Sequence, residues 1–426
     1  MQVENGKPGE RDEAKNLNDG TLVLHLDRLN GNLPYGALFE QKFESVAYEF
    51  PTTEEIEASY QGRGRSVAYG RQGNSTTTSL ERKLTALERG VGTVCFASGM
   101  AAYDATFATL FRSGDHVIAS KFLFSNTVSL LNTYRDRFGV DVEYVDVTDA
   151  GTVLTGVKEN TVAVFVESVA NPKTQIPSLL EIGRGLAKVG VAYVIDNTLT
   201  TPCGFKPKDV FAALSINSLT KSIGGHGRSL GGSVTDTGVM DWTRSRVFIE
   251  ERFREVDQLS YIMQLRKRGL RDKGATLSGG DAATLSMGLE TLPLRLKAAS
   301  ENANRLAIFL QSCRQVAAVH YPGLPSHPQH HLASKLFAAT GPLMSFELSP
   351  ERDVSKFLNR LKIIVRSSSL GDNRTLVIAP AKTIFHELGP NVRAEMGIAE
   401  GLVRMSVGIE PIDDLIADLE QALNAD

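Results

Sequence analysis

Short β-branched runs that alternate with helical segments restrict the possible folds of this chain more than any other sequence feature. The runs HVIAS, TVAVFVES and VAYVIDN predict buried strands, because each is a short apolar run that ends at polar or turn-forming residues. The segment PSLLEIGRGLAKVG places apolar residues at helical spacing and ends in glycine, which predicts a helix. This order predicts parallel βαβ units with helices on both faces of the sheet.

The pattern of predicted secondary structure changes near residue 285, which predicts two domains and an N-terminal arm. A chain of 426 residues is also too long for one ordinary hydrophobic core. Beyond the change, a long helical segment is followed by the turn-rich YPGLPSHPQHH, by short strands and by a closing helix. We predict an arm over 1–65, an α/β domain over 66–285 and a smaller α+β domain over 286–426.

The composition argues against nucleic-acid and membrane partners. A net charge of −3 gives no electrostatic reason to bind nucleic acid, and the apolar runs are too short to span a bilayer. The N-terminal residues lack the apolar core of a signal peptide, so we expect a cytoplasmic protein. The three cysteines lie far apart and form no CxxC pair, which favours buried thiols over disulfides or zinc ligands.

Polar residues that follow the predicted strands are the first candidates for ligand binding, because open α/β sheets bind ligands at the carboxyl ends of their strands. Asp196 follows VAYVI, where a carboxylate can pair with a protonated ring nitrogen, hold a metal or simply cap the next turn. Glu167 ends the preceding strand and can orient a polar ligand or satisfy loop amides. The turn Ser98–Met100 opens a helix whose free N–H groups suit a phosphate, although its glycine can also serve only the turn.

The stretch SLTKSIGGHG places one lysine, Lys221, between hydroxyl residues and glycines. A held and partly desolvated amine can lose its proton and bond to a carbonyl carbon, while the hydroxyls of Ser218 and Thr220 can bind a phosphate. The following GGHGRSLGG has the spacing of neither a Walker loop nor the dinucleotide fingerprint. Together with Asp196 and the Ser98–Met100 turn, this lysine meets the requirements of pyridoxal phosphate: a partner for the ring nitrogen, a phosphate cup and an amine.

Several stretches occur in an order that resembles the Cys/Met metabolism family of pyridoxal-phosphate-dependent enzymes, which includes the cystathionine γ-synthase and O-acylhomoserine sulfhydrylase group. They are YGRQGNSTT, FASGMAA, ESVANP, VIDNT, SLTKSIGGHG, SSSLG and LVRMSVGIE. The resemblance implies an α/β enzyme of fold type I, with a mostly parallel central sheet covered by helices. It also implies that residues 66–285 bind the cofactor and that 286–426, the smaller α+β domain, bind the substrate.

The resemblance assigns the chemistry to three residues of this chain. Lys221 would carry the cofactor and move protons between substrate carbons, and Asp196 would keep the pyridine nitrogen protonated. Tyr69 is the third candidate catalytic residue. The further cofactor-binding residues that the resemblance implies are Gly99, Met100, Phe124, Glu167, Asn171, Ser218, Thr220, Tyr69 and Arg71.

The resemblance also implies how substrate and subunits are arranged. Arg404 would bind the α-carboxylate of a small amino-acid substrate as a bidentate pair, with help from Ser369. Tyr69 and Arg71 would reach the phosphate in a neighbouring chain. We therefore expect a homotetramer of two dimers with shared active sites.

Two positions depart from the family pattern. Phe124 stands where relatives usually carry a tyrosine stacked on the cofactor ring, so stacking is retained and the hydroxyl is lost. Arg374 replaces an acidic residue, and it would either favour an anionic distal group on the substrate or simply face solvent. Four histidines lie in HYPGLPSHPQHH, but relatives have a similar turn without a metal, so no metal site is predicted.

The implied reactions share one cofactor chemistry: γ-replacement on O-acylhomoserines, γ-elimination of methionine or cystathionine, and β-elimination of cystathionine. The motif KSIGGHG and the lack of a phenol at position 124 favour γ-replacement on an O-acyl-L-homoserine by sulfide or cysteine, which gives homocysteine or cystathionine. The alternative is a methionine or cystathionine γ-lyase. A catalytically silent homologue is disfavoured, because Lys221, Asp196 and Arg404 are all present.

Overall fold

The computed structural model describes residues 17–29, 33–61, 63 and 67–425, so the predicted arm and its boundary at 65 lie partly outside it. The strands are β1 (Gly92–Phe96), β2 (His116–Ser120), β3 (Asp141–Val145), β4 (Thr161–Glu167), β5 (Ala192–Asp196), β6 (Leu214–Asn217), β7 (Gly232–Asp236), β8 (Val316–His320), β9 (Leu343–Leu348), β10 (Val365–Arg366), β11 (Leu376–Ile378) and β12 (Leu402–Ser406). The α-helices are α1 (Asp19–Leu29), α2 (Thr53–Tyr60), α3 (Ser75–Leu87), α4 (Gly99–Leu110), α5 (Ser125–Phe138), α6 (Ala150–Thr155), α7 (Leu179–Ala187), α8 (Thr201–Gly204), α9 (Glu251–Arg254), α10 (Ser260–Gln264), α11 (Gly279–Glu290), α12 (Leu292–Ser312), α13 (His330–Leu336), α14 (Val354–Arg360), α15 (Gly389–Glu395) and α16 (Ile412–Asn424), and a π-helix (Leu265–Arg271) continues α10.

The larger sheet of the described chain has the strand order β1-β7-β6-β5-β4-β2-β3. All its strands run parallel except β7, which is antiparallel to both of its neighbours. Side chains alternate along β4, so that Phe165 packs into one core while Val164 and Val166 pack into the core on the opposite face. The mostly parallel, helix-covered sheet expected from the sequence is confirmed, and the antiparallel strand was not predicted.

The parallel register brings the predicted site residues to one edge of this sheet. Glu167 at the end of β4 lies beside Asp196 at the end of β5, and Asp196 in turn pairs with Ile216 of β6. The lysine stretch 218–227 follows β6 directly, and α4 begins at Gly99 shortly after β1. Carboxylates, lysine and helix start therefore reach the same edge from separate parts of the chain.

A smaller sheet with the order β10-β11-β12-β9-β8 forms the C-terminal part of the described chain. Its central strand β12 carries Arg404, which lies between Ser345 of β9 and Ile378 of β11. Buried residues of α12, α14 and α16 pack on this sheet and form a separate core. The predicted smaller C-terminal α+β unit is confirmed, whereas the exact boundary at 285 stays a prediction. No helix in the described ranges combines the length and apolar character needed to cross a membrane.

Helix α1 is anchored to the larger unit by apolar contacts and by a buried ion pair. Its Leu22, Val23 and Leu26 join a core to which α3 and α11 contribute leucines. Asp27 lies 2.8 Å from the Lys83 ammonium of α3, and the two side chains are only 9% and 3% exposed. A buried ion pair of this kind fixes the position of the helix, because neither charge can be left alone without a large desolvation cost.

This ion pair gives a test of how α1 is held. The variant Asp27→Leu leaves the Lys83 ammonium buried without its partner, so we expect the free energy of unfolding to fall by about 3 to 5 kcal/mol in urea denaturation. The control is the double variant Asp27→Leu, Lys83→Met, which removes both charges and is expected to recover most of the loss. Equal losses in the single and double variants would contradict this account.

Candidate active site

Two carboxylates lie side by side where β4 and β5 end. Glu167 Oε1 accepts a hydrogen bond from the Phe124 N–H (2.7 Å), and Oε2 accepts a longer one from the Asn171 N–H (3.3 Å). Burial, and then the negative charge of Asp196, raise the pKa of Glu167 to about 8. Among the described residues, no lysine, arginine or histidine forms an ion pair with either carboxylate, so the pair is open to a cationic ligand.

Asp196 has hydrogen-bond donors on both carboxylate oxygens. Oδ1 accepts from the Thr198 N–H (2.9 Å), and Oδ2 accepts from the Tyr103 hydroxyl (2.8 Å). Burial raises the pKa of Asp196, and these donors act against that effect because they stabilise the ionised form. Tyr103 was not predicted from the sequence. The available signal was a phenol in the first turns of a helix otherwise rich in alanine and threonine.

The start of α4 forms a compact turn against the lysine stretch. The Ser98 hydroxyl caps the helix by accepting from the Ala101 N–H (3.1 Å). A Cβ atom at Gly99 would lie 2.9 Å from Ser218 Cβ, so only glycine lets the helix start approach Ser218 this closely. The helix N–H groups at Gly99 and Met100 therefore lie next to the Ser218 side chain, in an arrangement that suits a phosphate.

The lysine stretch is held by its own backbone and by Thr220. The Thr220 hydroxyl donates to the Gly231 carbonyl (3.2 Å) and accepts from the Gly231 N–H (3.0 Å), so it closes the loop. Within the described chain, the Lys221 amine has no hydrogen-bond or ion-pair partner. Burial, and then the positive charge of Arg404, lower its pKa, which favours the neutral amine that a carbonyl group requires.

A buried arginine that the sequence analysis missed supports the lysine stretch. Arg295 of α12 donates to the carbonyls of Ser222 (2.7 Å), Ile223 (3.1 Å) and Gly288 (2.6 Å). Gly225 has a φ of +68°, and a Cβ there would lie 2.0 Å from the arginine, so glycine is required on both counts. The sequence signal was an arginine on the apolar face of a helix, three residues after Leu292.

Arg404 is a buried cation that no acidic side chain of the described chain neutralises. Its side chain is 1% exposed, and Nη2 donates to the carbonyls of Ser368 (2.9 Å) and Ser369 (2.8 Å). Its Nε is buried without a partner, and burial lowers its pKa to about 10. A guanidinium held in this way can bind a carboxylate, and Ser369 contributes its carbonyl rather than its hydroxyl.

Tyr69 and Arg71 lie apart from this group, at the surface. The Tyr69 side chain is 41% exposed, and the Arg71 guanidinium lies 5.5 Å from the centre of its ring. Arg71 is also held by a hydrogen bond to the Arg271 carbonyl. Their predicted contact with the site of a neighbouring chain stays a prediction.

The two departures from the family pattern have different surroundings. Phe124 precedes α5 and is tied to the site by its backbone N–H, which donates to Glu167. Arg374 forms a bidentate pair with Asp372, with Nε to Oδ1 at 2.7 Å and Nη2 to Oδ2 at 2.9 Å. Because its charge is already paired and its side chain is 61% exposed, the solvent-facing alternative is the better supported one for Arg374.

The histidine-rich turn forms ordinary hydrogen bonds. His320 Nε2 lies 2.9 Å from Glu347 Oε1, His327 Nε2 lies 3.3 Å from Thr174 Oγ1, and His330 Nδ1 lies 2.9 Å from the Pro322 carbonyl. In the described ranges, no three acidic, histidine or cysteine residues are placed so that they could hold a metal ion. These histidines link the turn to β9 and to the loop after Glu167.

A model of the Cys/Met metabolism PLP-dependent enzyme family matches residues 20–424. The chain belongs to this family. Its cofactor is therefore pyridoxal phosphate. The solved structure of an enzyme named as an O-acetylhomoserine (thiol)-lyase from Campylobacter jejuni carries N'-pyridoxyl-lysine-5'-monophosphate. That structure superposes with a TM-score of 0.91, at 28% identity, over 96% of this chain and 100% of that one.

The relatives of this family member have different activities. An L-methionine gamma-lyase of Pseudomonas putida is 36% identical over 392 residues, which are 92% of this chain and 93% of that protein. An O-succinylhomoserine sulfhydrylase of Pseudomonas aeruginosa is 34% identical over 393 residues, which are 92% of each chain. Sequence similarity therefore establishes a pyridoxal-phosphate enzyme of sulfur amino-acid metabolism and leaves the individual reaction open.

The residues of this family member fit the cofactor. The carboxylates of Asp196 and Glu167 have no cationic partner in the described chain and suit a protonated pyridine ring. The approach of Gly99 to Ser218 forms a cradle that a side chain would fill, and the Lys221 amine is unpaired. The Asn171 Oδ1 atom is also buried without a partner, as expected for a group that meets a ligand.

The histidine-rich turn gives a pH test. Burial, followed by the charges of His320 and His330, lowers the pKa of His327 to about 4. Unfolding therefore takes up a proton between about pH 6.5 and 4, and the folded protein loses stability as the pH falls through this range. Between pH 7 and pH 5 in urea denaturation, we expect the free energy of unfolding of His327→Gln to fall by about 1 to 2 kcal/mol less than that of the parent protein.

The control for this test is the exposed neighbour His331, replaced in the same way. His331→Gln is expected to follow the parent protein at both pH values. If His327→Gln had the same pH dependence as the parent protein, the neutral buried state of His327 would be contradicted.

Proposed function

We propose that this enzyme catalyses γ-replacement on an O-acyl-L-homoserine, in which a sulfur nucleophile bonds to the γ carbon and the acyloxy group leaves as a carboxylate. Sulfide would give homocysteine, and cysteine would give cystathionine. When bound, pyridoxal phosphate withdraws electrons from the amino acid to which it is joined, which makes the α and β protons removable and the γ substituent displaceable. The proposal gives each site residue described above a separate part in this reaction.

Lys221 is the proposed cofactor-bearing lysine and proton carrier. Its amine is partly buried, has no partner in the described chain and has a pKa lowered by burial and by Arg404. A neutral amine can take a proton from the α carbon and later from the β carbon of the substrate. The same Arg404 would bind the substrate α-carboxylate, so substrate binding partly neutralises the charge that lowers the lysine pKa.

Asp196 is the proposed partner of the ring nitrogen, and Glu167 supports it from the neighbouring strand. The proposed phosphate site consists of the N–H groups of Gly99 and Met100 with the hydroxyls of Ser218 and Thr220. Phe124 would stack on the ring, and Asn171 would contact the cofactor with its unpaired Oδ1. Tyr69 and Arg71 would complete the phosphate site of a neighbouring chain in a homotetramer, which accounts for their surface position.

The observation that carries the choice of γ-replacement is the lack of a free phenol at the described site. Position 124 is a phenylalanine, and the hydroxyl of Tyr103 is already donated to Asp196. A carboxylate leaves easily without an acid, because carboxylic acids have a pKa of about 4, whereas thiols have a pKa of about 8.5 and their anions leave poorly unless protonated. The site is therefore better suited to expel a carboxylate than a thiolate.

The second candidate is γ-elimination from methionine or cystathionine. The observation that favours it is the 36% identity to the L-methionine gamma-lyase of Pseudomonas putida. This reaction needs an acid for the departing sulfur, and the exposed Tyr69 of a neighbouring chain is the available phenol. The two candidates use the same cofactor residues and differ in the group that leaves.

The direct test supplies O-acetyl-L-homoserine to the purified holoenzyme with and without sulfide. We expect homocysteine to form at a rate that depends on sulfide. Without sulfide, we expect 2-oxobutanoate and ammonia to form at least about tenfold more slowly than homocysteine forms with sulfide. The products are measured by chromatography and by an ammonia assay. Full-rate formation of 2-oxobutanoate and ammonia without any thiol would contradict γ-replacement and support the lyase.

Phe124→Tyr tests the leaving-group argument. The added phenol can protonate a departing thiolate, and a positioned general acid contributes roughly 10² to 10⁴ in rate. We therefore expect 2-oxobutanoate formation from methionine to rise by at least about tenfold. Sulfide-dependent turnover of the ester serves as the internal control and is expected to change by less than about twofold. A rise of equal size for both substrates would contradict the argument.

A further inference from the structure

The phenol of Tyr103 belongs to the site but has no part in the reaction described so far. Its hydroxyl donates to Asp196 Oδ2 at 2.8 Å, while the Thr198 N–H donates to Oδ1 at 2.9 Å. The Tyr103 side chain is 4% exposed, and its ring packs edge to face on Phe107 with the centroids 5.7 Å apart. The hydroxyl is thus held in place by the packing of its ring.

The surroundings keep this hydroxyl protonated, so that it acts as a donor. Burial, and then the negative charges of Asp196 and Glu167, hold the pKa of Tyr103 well above its usual range, against a small opposite effect from a hydrogen bond with Thr127. A phenol that cannot ionise can donate to a carboxylate. Hydrogen bonds to charged acceptors are stronger than those between neutral groups.

Asp196 needs such donors because its surroundings oppose its negative charge. The Glu167 carboxylate lies beside it in register on β4, and burial disfavours its ionised form. No lysine, arginine or histidine of the described chain forms an ion pair with Asp196. Besides a bound cofactor, the groups that stabilise an ionised Asp196 are therefore the hydroxyl and the N–H of Thr198 and the Tyr103 hydroxyl, and Tyr103 is the one that comes from outside the loop that follows β5.

We propose that Tyr103 is a positioning residue that holds Asp196 ionised and oriented toward the ring nitrogen of pyridoxal phosphate. This inference rests on the proposed role of Asp196. The phenol stabilises the carboxylate through Oδ2 and prevents the side chain from turning away from the ligand. The ring nitrogen then stays protonated, because its counter-charge stays in place.

The experiment compares the full-length holoenzyme with the variants Tyr103→Phe, Asp196→Asn and the double variant. Phenylalanine keeps the ring that packs on Phe107 and removes only the hydroxyl. The first measurement is the dissociation constant of pyridoxal phosphate, obtained by equilibrium dialysis. The second is the nitrogen-15 chemical shift of the pyridine nitrogen in protein loaded with labelled cofactor, which reports the protonation of that nitrogen.

We expect Tyr103→Phe to raise the dissociation constant about tenfold and to move the nitrogen-15 shift toward that of neutral pyridine. In the Asp196→Asn background, the same change is expected to alter the dissociation constant by less than about twofold, because the charged acceptor is gone. An effect of equal size in both backgrounds would identify a purely structural role and overturn the inference. An unchanged nitrogen-15 shift in Tyr103→Phe would also overturn it.

The Asp196→Asn variant separates this inference from the proposed function. If Asp196→Asn leaves both the dissociation constant and the nitrogen-15 shift unchanged, the proposed role of Asp196 fails and the inference fails with it. If Asp196→Asn changes both and Tyr103→Phe changes neither, only the inference fails. Neither measurement depends on which sulfur substrate the enzyme uses.

Discussion

The site depends on the parallel register of β4 and β5, which forces two carboxylates to end at the same level of the sheet. Glu167 and Asp196 are direct partners in this pairing, so their charges oppose each other wherever the surrounding protein excludes water. No neighbouring strand supplies a cation, and the described chain leaves the pair without an ion-pair partner. Because the pKa of Glu167 is raised to about 8, Glu167 is mostly protonated at neutral pH, and Asp196 carries the negative charge that a cationic ring can neutralise.

Two buried arginines, Arg295 and Arg404, are paired with backbone carbonyls rather than with acidic side chains. Arg295 holds the lysine stretch through the carbonyls of Ser222 and Ile223, and Arg404 is held through those of Ser368 and Ser369. Carbonyls fix a guanidinium in place but leave its net charge intact. Arg295 therefore orders the loop of Lys221, while Arg404 keeps a positive charge that can bind an anion and that lowers the pKa of the lysine.

Much of this arrangement could be predicted from the sequence because its signals are local. Strand and helix periodicity predicted the central sheet, and the residues just after its strands included Glu167, Asp196 and the stretch around Lys221. The family was predicted from the order of its motifs and is confirmed by the match over residues 20–424. Arg404 was found only through that resemblance, since an arginine inside a strand has no functional signal of its own.

The features that were missed depend on contacts between distant parts of the chain. Tyr103 reaches Asp196 across 93 residues, and Arg295 reaches Ser222 across 73. The antiparallel β7 and the anchoring of α1 through Asp27 and Lys83 are likewise set by tertiary pairing. For Arg374 the sequence left a substrate role and a solvent-facing role open, and its bidentate pair with Asp372 supports the second.

The central claim is that Lys221 is the residue that carries pyridoxal phosphate. The most direct measurement is reduction of the holoenzyme with sodium borohydride, which makes the link between lysine and cofactor permanent, followed by mass spectrometry of the peptides. The account predicts a phosphopyridoxyl group on the peptide that contains Lys221, in an amount close to that of the protein. A modified lysine elsewhere in the chain, with Lys221 unmodified, would contradict it.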